Sequence, residues 1–349
     1  MNDEAFSFHT MPTHTDHNIL TTKAQEEWLT FVELCFADKG TPKSYFHNQL
    51  VRESSQHLIV VIRNSKSIVS TLRIFRRVIL GGASHQQIKV AGIGSVCTHP
   101  KYRKQGLSSR LIQFAQKIIQ ESGDFDISLL HAAPQFHSFY KSNGYIKQLQ
   151  IEKVLIEIQG IEKSFSTSSY IIRTCDSFCS NVTNDVAVLN TLHNSFNQNL
   201  PGTDVRNDAF WLALTEQYKD SIFVCLNQDD VPLAYCCVIF SSRDQKWILS
   251  DFGIEQDFVE GRSDDIHLVV EQLLAHAIHH QTTEAIEVTV DTADAAATNI
   301  LVPLSICTLL RKSGEQVVDD GWLYYNVNKM HSNDSLQDTI ATRWKMDSF

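Results

Sequence analysis

A basic segment with a glycine near its centre is the stretch of this sequence whose residue types could do chemistry. It reads, in order, Val96, Cys97, Thr98, His99, Pro100, Lys101, Tyr102, Arg103, Lys104, Gln105, Gly106, Leu107, Ser108 and Ser109. An apolar run leads into it and an amphipathic pattern follows from Leu107, which predicts a strand, a turn and a helix in that order. The first backbone N–H groups of a helix lack partners inside the helix and carry the positive end of its dipole. We therefore expect the turn to bind an anion such as a phosphate group.

The elements on both sides of the turn must hold it in place. Gly106 has no side chain and so lets a ligand approach the backbone closely. The apolar positions behind it recur at helical spacing and predict one buried and one wet helix face. They are Leu107, Leu111, Ile112, Ala115, Ile118 and Ile119. Residues 88–98 predict the strand before the turn, and residues 125–131 predict the next strand after the helix.

Two motifs in this region resemble signatures of one family. Arg103, Gly106 and Ser108 form Arg-x-x-Gly-x-Ser, which resembles the acyl-CoA pyrophosphate loop of the GNAT superfamily of N-acetyltransferases, usually Gln/Arg-x-x-Gly-x-Gly/Ala. The second motif is similar to the superfamily's Phe-Tyr-x-x-x-Gly-Phe/Tyr signature. It reads Phe139, Tyr140, Lys141, Ser142, Asn143, Gly144 and Tyr145.

A closer resemblance is to the branch that contains the enhanced-intracellular-survival (Eis) acetyltransferases and related fungal lysine acetyltransferases. It rests on a long strand over residues 69–80 with arginines at its centre, on Gly81-Gly82, on residues 90–96 and on residues 98–103. The match covers roughly residues 20 to 150, which is less than half of the chain.

The resemblance implies a GNAT fold, a mixed and mostly antiparallel sheet flanked by helices, over residues 20–160. Residues 1–19 are expected to be a polar leader and residues 330–349 a C-terminal tail. Over residues 170–329 the order of predicted elements partly repeats, which favours a second α/β, degenerate GNAT-like domain. Its segment in the place of the basic turn, residues 255–265, is acidic and would repel a pyrophosphate, so this copy is not expected to bind CoA.

The family resemblance also assigns roles. Acetyl-CoA is the expected cofactor, with a backbone N–H near Val96 as partner for the thioester oxygen and Thr98 beside the pantetheine arm. The full set expected to bind it is Val96, Cys97, Thr98, Arg103, Lys104, Gln105, Gly106, Leu107, Ser108 and Ser109. Tyr140 is the candidate general acid for the CoA thiolate, the alternative being that it only packs among aromatic neighbours. Many GNAT enzymes place a glutamate before the loop, but residues 92–95 contain no carboxylate. The amine proton must therefore go to water or to a group elsewhere, for which His131 and the C-terminal carboxylate of Phe349 are the candidates.

The composition of the chain argues against several classes of binding partner. The 349-residue chain has a formal charge of -10 and a pI near 5.8, which argues against nucleic-acid binding, and no basic stripe or apolar span predicts membrane binding. His9, His14 and His17 are close in sequence, but no Cys or carboxylate spacing completes a zinc site. Eight scattered cysteines are typical of free thiols. We expect a cytoplasmic protein that binds no metal.

The sequence therefore predicts an acetyl-CoA-dependent N-acetyltransferase that moves an acetyl group directly to a primary amine of a small molecule or peptide. The missing strand carboxylate leaves an alternative from another class, a non-catalytic acyl-CoA-binding regulatory module. The sequence does not identify the acceptor or the oligomeric state.

Overall fold

The structure is a computed structural model, and it describes most of the chain in two compact units. Unit 1 comprises the described residues up to 147 together with residues 321–327, and unit 2 comprises those from 151 to 319. The described residues are 5–12, 23–52, 57–81, 86–147, 151–158, 170–175, 182–198, 200, 202–241, 245–261, 266–285, 298–319 and 321–327.

Unit 1 is a seven-stranded sheet with helices. Its elements are β1 Ser7–Pro12, α1 Lys23–Phe36, α2 Lys43–Arg52, β2 His57–Arg63, β3 Ile68–Leu80, β4 Gln87–Thr98, α3 Leu107–Ser122, β5 Ile127–His131, α4 His137–Ser142, β6 Ile146–Lys147 and, from the far end of the sequence, β14 Trp322–Asn326. The strand order is β1-β2-β3-β4-β5-β14-β6. Only β4 and β5 run parallel, and the other neighbours are antiparallel.

Unit 2 is also a seven-stranded sheet with helices. Its elements are β7 Ile151–Ile158, β8 Ile171–Thr174, α5 Val182–Asn197, α6 Asp208–Tyr218, β9 Ile222–Leu226, β10 Pro232–Ser241, β11 Lys246–Ile254, α7 Gln256–Gly261, α8 Ile266–Ala285, β12 Thr298–Pro303, α9 Leu304–Leu309 and β13 Glu315–Asp319. The strand order is β8-β9-β10-β11-β12-β7-β13, with β11 and β12 as the parallel pair.

The two sheets match strand for strand. Each begins with four antiparallel strands in chain order, continues with one parallel neighbour, and ends with two antiparallel strands. The repeat expected from the order of sequence elements is therefore confirmed as a structural one.

The sheets divide the chain differently from the expected domains 20–160 and 170–329. The strand β7 lies in the sheet of unit 2, and β14 lies in the sheet of unit 1, between β5 and β6. The apolar pattern of a strand shows that it is buried, but does not show which sheet buries it. The expected leader also contains a strand, β1, which pairs along its whole length with β2.

Helix α3 owes its position to one apolar face. Its buried residues are Leu107, Leu111, Ile112, Ala115 and Ile119, at the spacing expected for a helix packed on a sheet. They pack with residues of β2, β3 and β4, and fully burying each leucine or isoleucine among them contributes roughly 1.5–3 kcal/mol. Glycines with left-handed φ flank the helix, Gly106 (φ 74°) before it and Gly123 (φ 67°) after it.

Candidate active site

Strand β4 contains a bulge next to the basic turn. Thr71 on β3 pairs with Cys97 and Arg73 pairs with Gly94, so the single residue between them on β3 faces both Ser95 and Val96. Ser95 has a left-handed φ of 51°. A bulge interrupts the ladder locally and redirects the backbone. The donor groups of β4 are thus turned away from regular pairing at the position where the sequence predicted a thioester partner.

Strands β4 and β5 separate beside this bulge. They pair only over Val90 to Gly92, opposite Ile127 to Leu129, although β4 continues to Thr98 and β5 to His131. Two parallel strands that diverge expose backbone groups that a regular ladder would satisfy. The bulge therefore lies at the edge of an opening in the sheet.

The basic turn between β4 and α3 lies at the surface. Arg103, Lys104, Gln105 and Gly106 are all exposed. Gly106 stands at the N-cap and provides no side chain to accept the first N–H groups of the helix, and the N–H of Arg110 is bonded inside the helix to the Gly106 carbonyl at 3.1 Å. A Cβ on Gly106 would meet nothing within 4 Å. The end of a 16-residue helix thus faces open space with orphan donors and two cationic side chains beside it.

A chain of hydroxyl groups ties the start of this helix to the end of β4. The Thr98 hydroxyl lies 2.8 Å from Ser70 Oγ and 2.7 Å from Ser108 Oγ. The Arg103 Nε donates to the Thr98 carbonyl at 3.2 Å. The geometry of the turn is therefore fixed by side chains of β3, β4 and α3. The hydrogen bond between the Ser70 and Thr98 hydroxyls was not predicted, because the sequence gives no local signal of a contact between distant residues.

The Phe-Tyr motif forms helix α4 and the turn after it. The Tyr140 ring packs on Phe139 at 5.0 Å and on Tyr145 at 6.0 Å between centroids. Burial raises the pKa of the Tyr140 phenol to about 12, so the group keeps its proton at neutral pH. Tyr145 differs, because its hydroxyl lies 2.8 Å from the buried Ser128 hydroxyl.

Asn143 connects this motif to the helix behind the basic turn. Its side-chain amide donates to the Phe139 carbonyl at 2.8 Å and to Ser109 Oγ at 3.4 Å. The backbone carbonyl of Asn143 accepts a hydrogen bond from Gln116 Nε2 at 2.8 Å. Helices α3 and α4, which carry the two sequence motifs, are thus held against each other.

The two candidate bases differ in what the structure describes. His131 lies exposed at the end of β5, where it pairs with Trp322 and its ring lies 5.0 Å from the Trp322 ring. Phe349 lies outside the described residues. Both assignments stay predictions.

Residues 17–147 match the family described as acetyltransferase (GNAT) domain. Unit 1 carries a GNAT acetyltransferase domain. This is the family expected from the two motifs, and its members transfer acyl groups from acyl-CoA, so the enzyme class expected from the sequence, an N-acetyltransferase, is supported as well. The match spans the bulge, the basic turn, α3 and the Phe-Tyr motif.

Solved structures resemble the chain over both units. A GCN5-related N-acetyltransferase from Anabaena variabilis is 18% identical, with a TM-score of 0.60 over 93% of this chain and 73% of that one. Eis1 from Mycobacterium abscessus is 13% identical, with a TM-score of 0.54 over 93% and 74%. A tandem GNAT protein from the clavulanic acid biosynthesis pathway is 10% identical, with a TM-score of 0.52 over 94% and 100%. Comparison with curated protein sequences gives no match. At these identities the structures establish the fold, a tandem GNAT arrangement.

The second GNAT-like unit has a bulge but a different set of charges. Cys237 pairs with Asp251 and Val238 pairs with Leu249, which leaves Ser250 as the extra residue of β11. The segment after β11 begins helix α7 with the exposed Asp257 in its first turn. Residues 262–265, the rest of the acidic segment, lie outside the described residues.

Unit 2 contains a buried ion pair next to its bulge. Arg206 donates to both carboxylate oxygens of Asp251 at 2.6 and 3.0 Å, and Tyr235 donates to the same carboxylate at 2.9 Å. The side chains of Arg206 and Asp251 are 1% and 0% exposed. The nitrogen Nδ1 of His193 lies 3.1 Å from Asn197 Nδ2 and 3.3 Å from Arg206 Nη1, which are both donors. Burial first, and then the Arg206 charge, lower the pKa of His193 well below its ordinary value, so His193 is neutral.

Two further findings concern the described residues alone. None of their helices is both long and apolar enough to cross a membrane. Their His, Cys, Asp and Glu side chains form no group of three or more placed to hold a metal ion.

Proposed function

We propose that this chain is an acetyl-CoA-dependent N-acetyltransferase that transfers an acetyl group directly to a primary amine of a small molecule or peptide. The observation that carries the proposal is the coincidence, in one GNAT domain, of the β4 bulge, the open N-terminus of α3 and a protonated Tyr140. The free thiols of the described cysteines favour a cytoplasmic location, since disulfides persist mainly in oxidising compartments.

The residues of the turn fit a CoA pyrophosphate. The N–H groups of Leu107, Ser108 and Ser109 would bind its oxygens at the positive end of the helix, with Arg103 and Lys104 adding charge. Gln105 and Gly106 would line the approach, and residues 96–98 would lie along the pantetheine. Bound acetyl-CoA supplies the activated thioester.

Groups of the protein would then stabilise the developing negative charge and transfer the protons. A backbone N–H at the bulge near Val96 would donate to the thioester oxygen as negative charge develops there. Tyr140 would give its proton to the departing CoA sulfur, and its raised pKa keeps that proton available. The amine must lose a proton before it attacks, since its ordinary pKa is about 10.4. His131 and the Phe349 carboxylate are the proposed acceptors of that proton.

The test is CoA release from acetyl-CoA by the purified protein with lysine, polyamines, aminoglycosides and lysine-containing peptides. We expect release that depends on one class of amine, which would also identify the acceptor. Binding of acetyl-CoA with background release for every amine would instead favour a non-catalytic acyl-CoA-binding module.

A pair of glycine variants tests the site. Gly106→Glu places an anion at the phosphate turn, where like charges cost several kcal/mol, so acetyl-CoA affinity should fall by about 100-fold or more. Gly123→Glu is the matched control. It introduces the same side chain at a similar left-handed φ with nothing within 4 Å, at the other end of the same helix, and should leave affinity nearly unchanged. Unchanged acetyl-CoA affinity in Gly106→Glu would show that the turn is not part of the acetyl-CoA site.

A further inference from the structure

Three hydroxyl groups form a continuous hydrogen-bonded chain from the inside of the sheet to the first turn of α3. The Ser70 hydroxyl on β3 lies 2.8 Å from the Thr98 hydroxyl at the end of β4, and the Thr98 hydroxyl lies 2.7 Å from Ser108 Oγ. Ser70 is 0% exposed and Thr98 is 8% exposed, whereas Ser108 is partly exposed. The chain therefore connects a fully buried side chain to the surface turn.

The inner end of this chain sets the direction of its hydrogen bonds. A hydroxyl group has one proton to donate, and Ser70 donates its proton to the backbone carbonyl of Cys97 at 3.0 Å. Thr98 must then donate to Ser70, and Ser108 must donate to Thr98. The Ser108 hydroxyl thus directs its proton into the protein and offers only lone pairs to a ligand. Since phosphate oxygens are acceptors as well, a phosphate at this turn would be bound by backbone N–H groups rather than by this hydroxyl.

Thr98 connects the same chain to a cation of the turn. Its hydroxyl bonds Ser70 and Ser108, while its backbone carbonyl accepts a hydrogen bond from Arg103 Nε at 3.2 Å. One residue therefore holds both the first turn of α3 and the Arg103 side chain. A shift of Thr98 would move both of the groups that the proposed function assigns to the pyrophosphate.

The outer end of the chain is a departure from the family signature. Ser108 occupies the last position of Arg-x-x-Gly-x-Ser, where the GNAT signature usually has Gly or Ala. Neither of those residues has a side-chain donor for Thr98. The hydroxyl chain is therefore a feature of this protein that the signature itself does not require.

We propose that Ser70 is a positioning residue for the donor site. Through Thr98 and Ser108 it holds the first N–H groups of α3 and the Arg103 guanidinium in the arrangement that binds the pyrophosphate of acetyl-CoA, an inference that rests on the proposed function. Ser70 has no exposed surface, so it acts on the donor only through the other two hydroxyls. Such preorganisation raises affinity because less conformational freedom is lost on binding.

The first variant of the full chain is Ser70→Ala, which removes the inner hydroxyl. Calorimetry measures its affinity for acetyl-CoA, and steady-state kinetics separates KM from kcat. We expect the Kd and the KM for acetyl-CoA to rise about fivefold, as for the loss of one hydrogen bond, and kcat at saturating acetyl-CoA to stay nearly unchanged. A Kd equal to that of the wild type would overturn the proposal.

The neighbouring Thr71 provides the matched control on β3. It is also 0% exposed, but its hydroxyl donates to the Val60 carbonyl at 3.0 Å and accepts from Trp28 Nε1 at 2.8 Å. Thr71→Val removes this hydroxyl and keeps the branched shape, so it should lower the free energy of unfolding and leave acetyl-CoA affinity unchanged. Equal losses of affinity in Thr71→Val and Ser70→Ala would show that affinity only follows stability, and would overturn the positioning role.

A double-mutant cycle tests whether the hydroxyls act as one unit. Ser108→Ala breaks the chain at its outer end and should also weaken acetyl-CoA binding about fivefold. If the chain is one unit, the double variant with Ser70→Ala should lose about fivefold as well, rather than the roughly 25-fold expected for independent sites. Additive losses would show that Ser70 does not act through Ser108.

Calorimetry of the wild-type chain separates this inference from the proposed function, and it decides even if the chain has no turnover. If the wild-type chain binds acetyl-CoA and Ser70→Ala binds it equally well, the positioning role is wrong while the function stands. If the wild-type chain does not bind acetyl-CoA, the proposed function fails and the positioning role fails with it.

Discussion

The two units have the same strand order but differ in the charged side chains near the bulged strand, which is β4 in unit 1 and β11 in unit 2. In unit 1, Arg103 and Lys104 are exposed at the start of α3. In unit 2, Arg206 and Asp251 are sealed in the core, and the exposed charge after the matching strand is Asp257. A sheet of one topology can thus present charge to a ligand or use it internally, and the side chains at the strand ends decide which.

The largest expected effect concerns the proposed acid of unit 1. Tyr140→Phe should lower kcat by about 100-fold or more, because a positioned general acid typically contributes 10²–10⁴-fold, while acetyl-CoA affinity stays close to that of the wild type. The matched variant Tyr145→Phe removes a hydroxyl that bonds Ser128 and should lower stability rather than turnover. Equal turnover in Tyr140→Phe and the wild type would assign Tyr140 to packing.

The same tyrosine predicts a pH profile. The protonated phenol is the active form, so its contribution is lost only as pH rises through about 12. The acceptor amine becomes more nucleophilic up to its own pKa of about 10.4. Measured kcat/KM should therefore rise from neutral pH toward pH 10. A descending limb near neutral pH that is absent in Tyr140→Phe would contradict the raised pKa.

In unit 2, the charge effect should appear in stability. Asp251→Asn leaves the Arg206 guanidinium buried without its anion, and breaking such a pair costs about 3–5 kcal/mol. The free energy of unfolding from urea titration measures this. Asp257→Asn, an exposed change in the same unit, should stay within about 0.5 kcal/mol. If both variants unfold at the same urea concentration as the wild type, the buried pair does not stabilise unit 2.

The buried His193 should make the stability of unit 2 depend on pH. Its pKa is lowered in the folded state, so below about pH 6.5 the unfolded chain binds a proton that the native state does not. Stability of unit 2 should fall as pH decreases below that value, by up to about 1.4 kcal/mol for each pH unit. Hydrogen exchange of β10 and β11 amides between about pH 7 and pH 5.5, corrected for the intrinsic rate, measures this. Unchanged protection would mean that His193 titrates normally.

The smallest effect separates binding from stability in unit 1. Arg103→Gln should weaken acetyl-CoA binding by about tenfold, which is roughly 1.4 kcal/mol, and should change the free energy of unfolding by less than about 0.5 kcal/mol. Arg76→Gln removes an exposed arginine that pairs with Asp124 at 2.9 Å and serves as the control for binding. Equal acetyl-CoA affinity in both variants would show that Arg103 does not contact the donor.

Local features were predictable from the sequence. The end of β4 at Thr98, the start of α3 at Leu107 and the short helix that carries Tyr140 all follow from periodicity and glycine placement. The repeat was also visible, since the element order in unit 2 follows that in unit 1.

Features that depend on distant residues were not predictable. The bulge at Ser95 arises from register between β3 and β4, and no residue type demands it. The hydroxyl contact of Ser70 with Thr98 joins two separate strands. The strand β1 was missed because Ser7–Pro12 contains polar residues, and Phe8 becomes an apolar contact only when it reaches Phe114 on α3.

The position of β14 has a consequence for how the chain folds and how it can be cut. His131 pairs with Trp322, about 190 residues later, so the sheet of unit 1 is complete only after nearly the whole chain has been synthesised. Pairing between residues so distant in sequence is slow. A fragment that ends after β7, at Ile158, would lack the strand between β5 and β6, and would carry β7 without its partners. Neither half of the sequence is therefore a free-standing folding unit, and splitting the gene at the middle should yield two insoluble products that recover structure only when they are produced together.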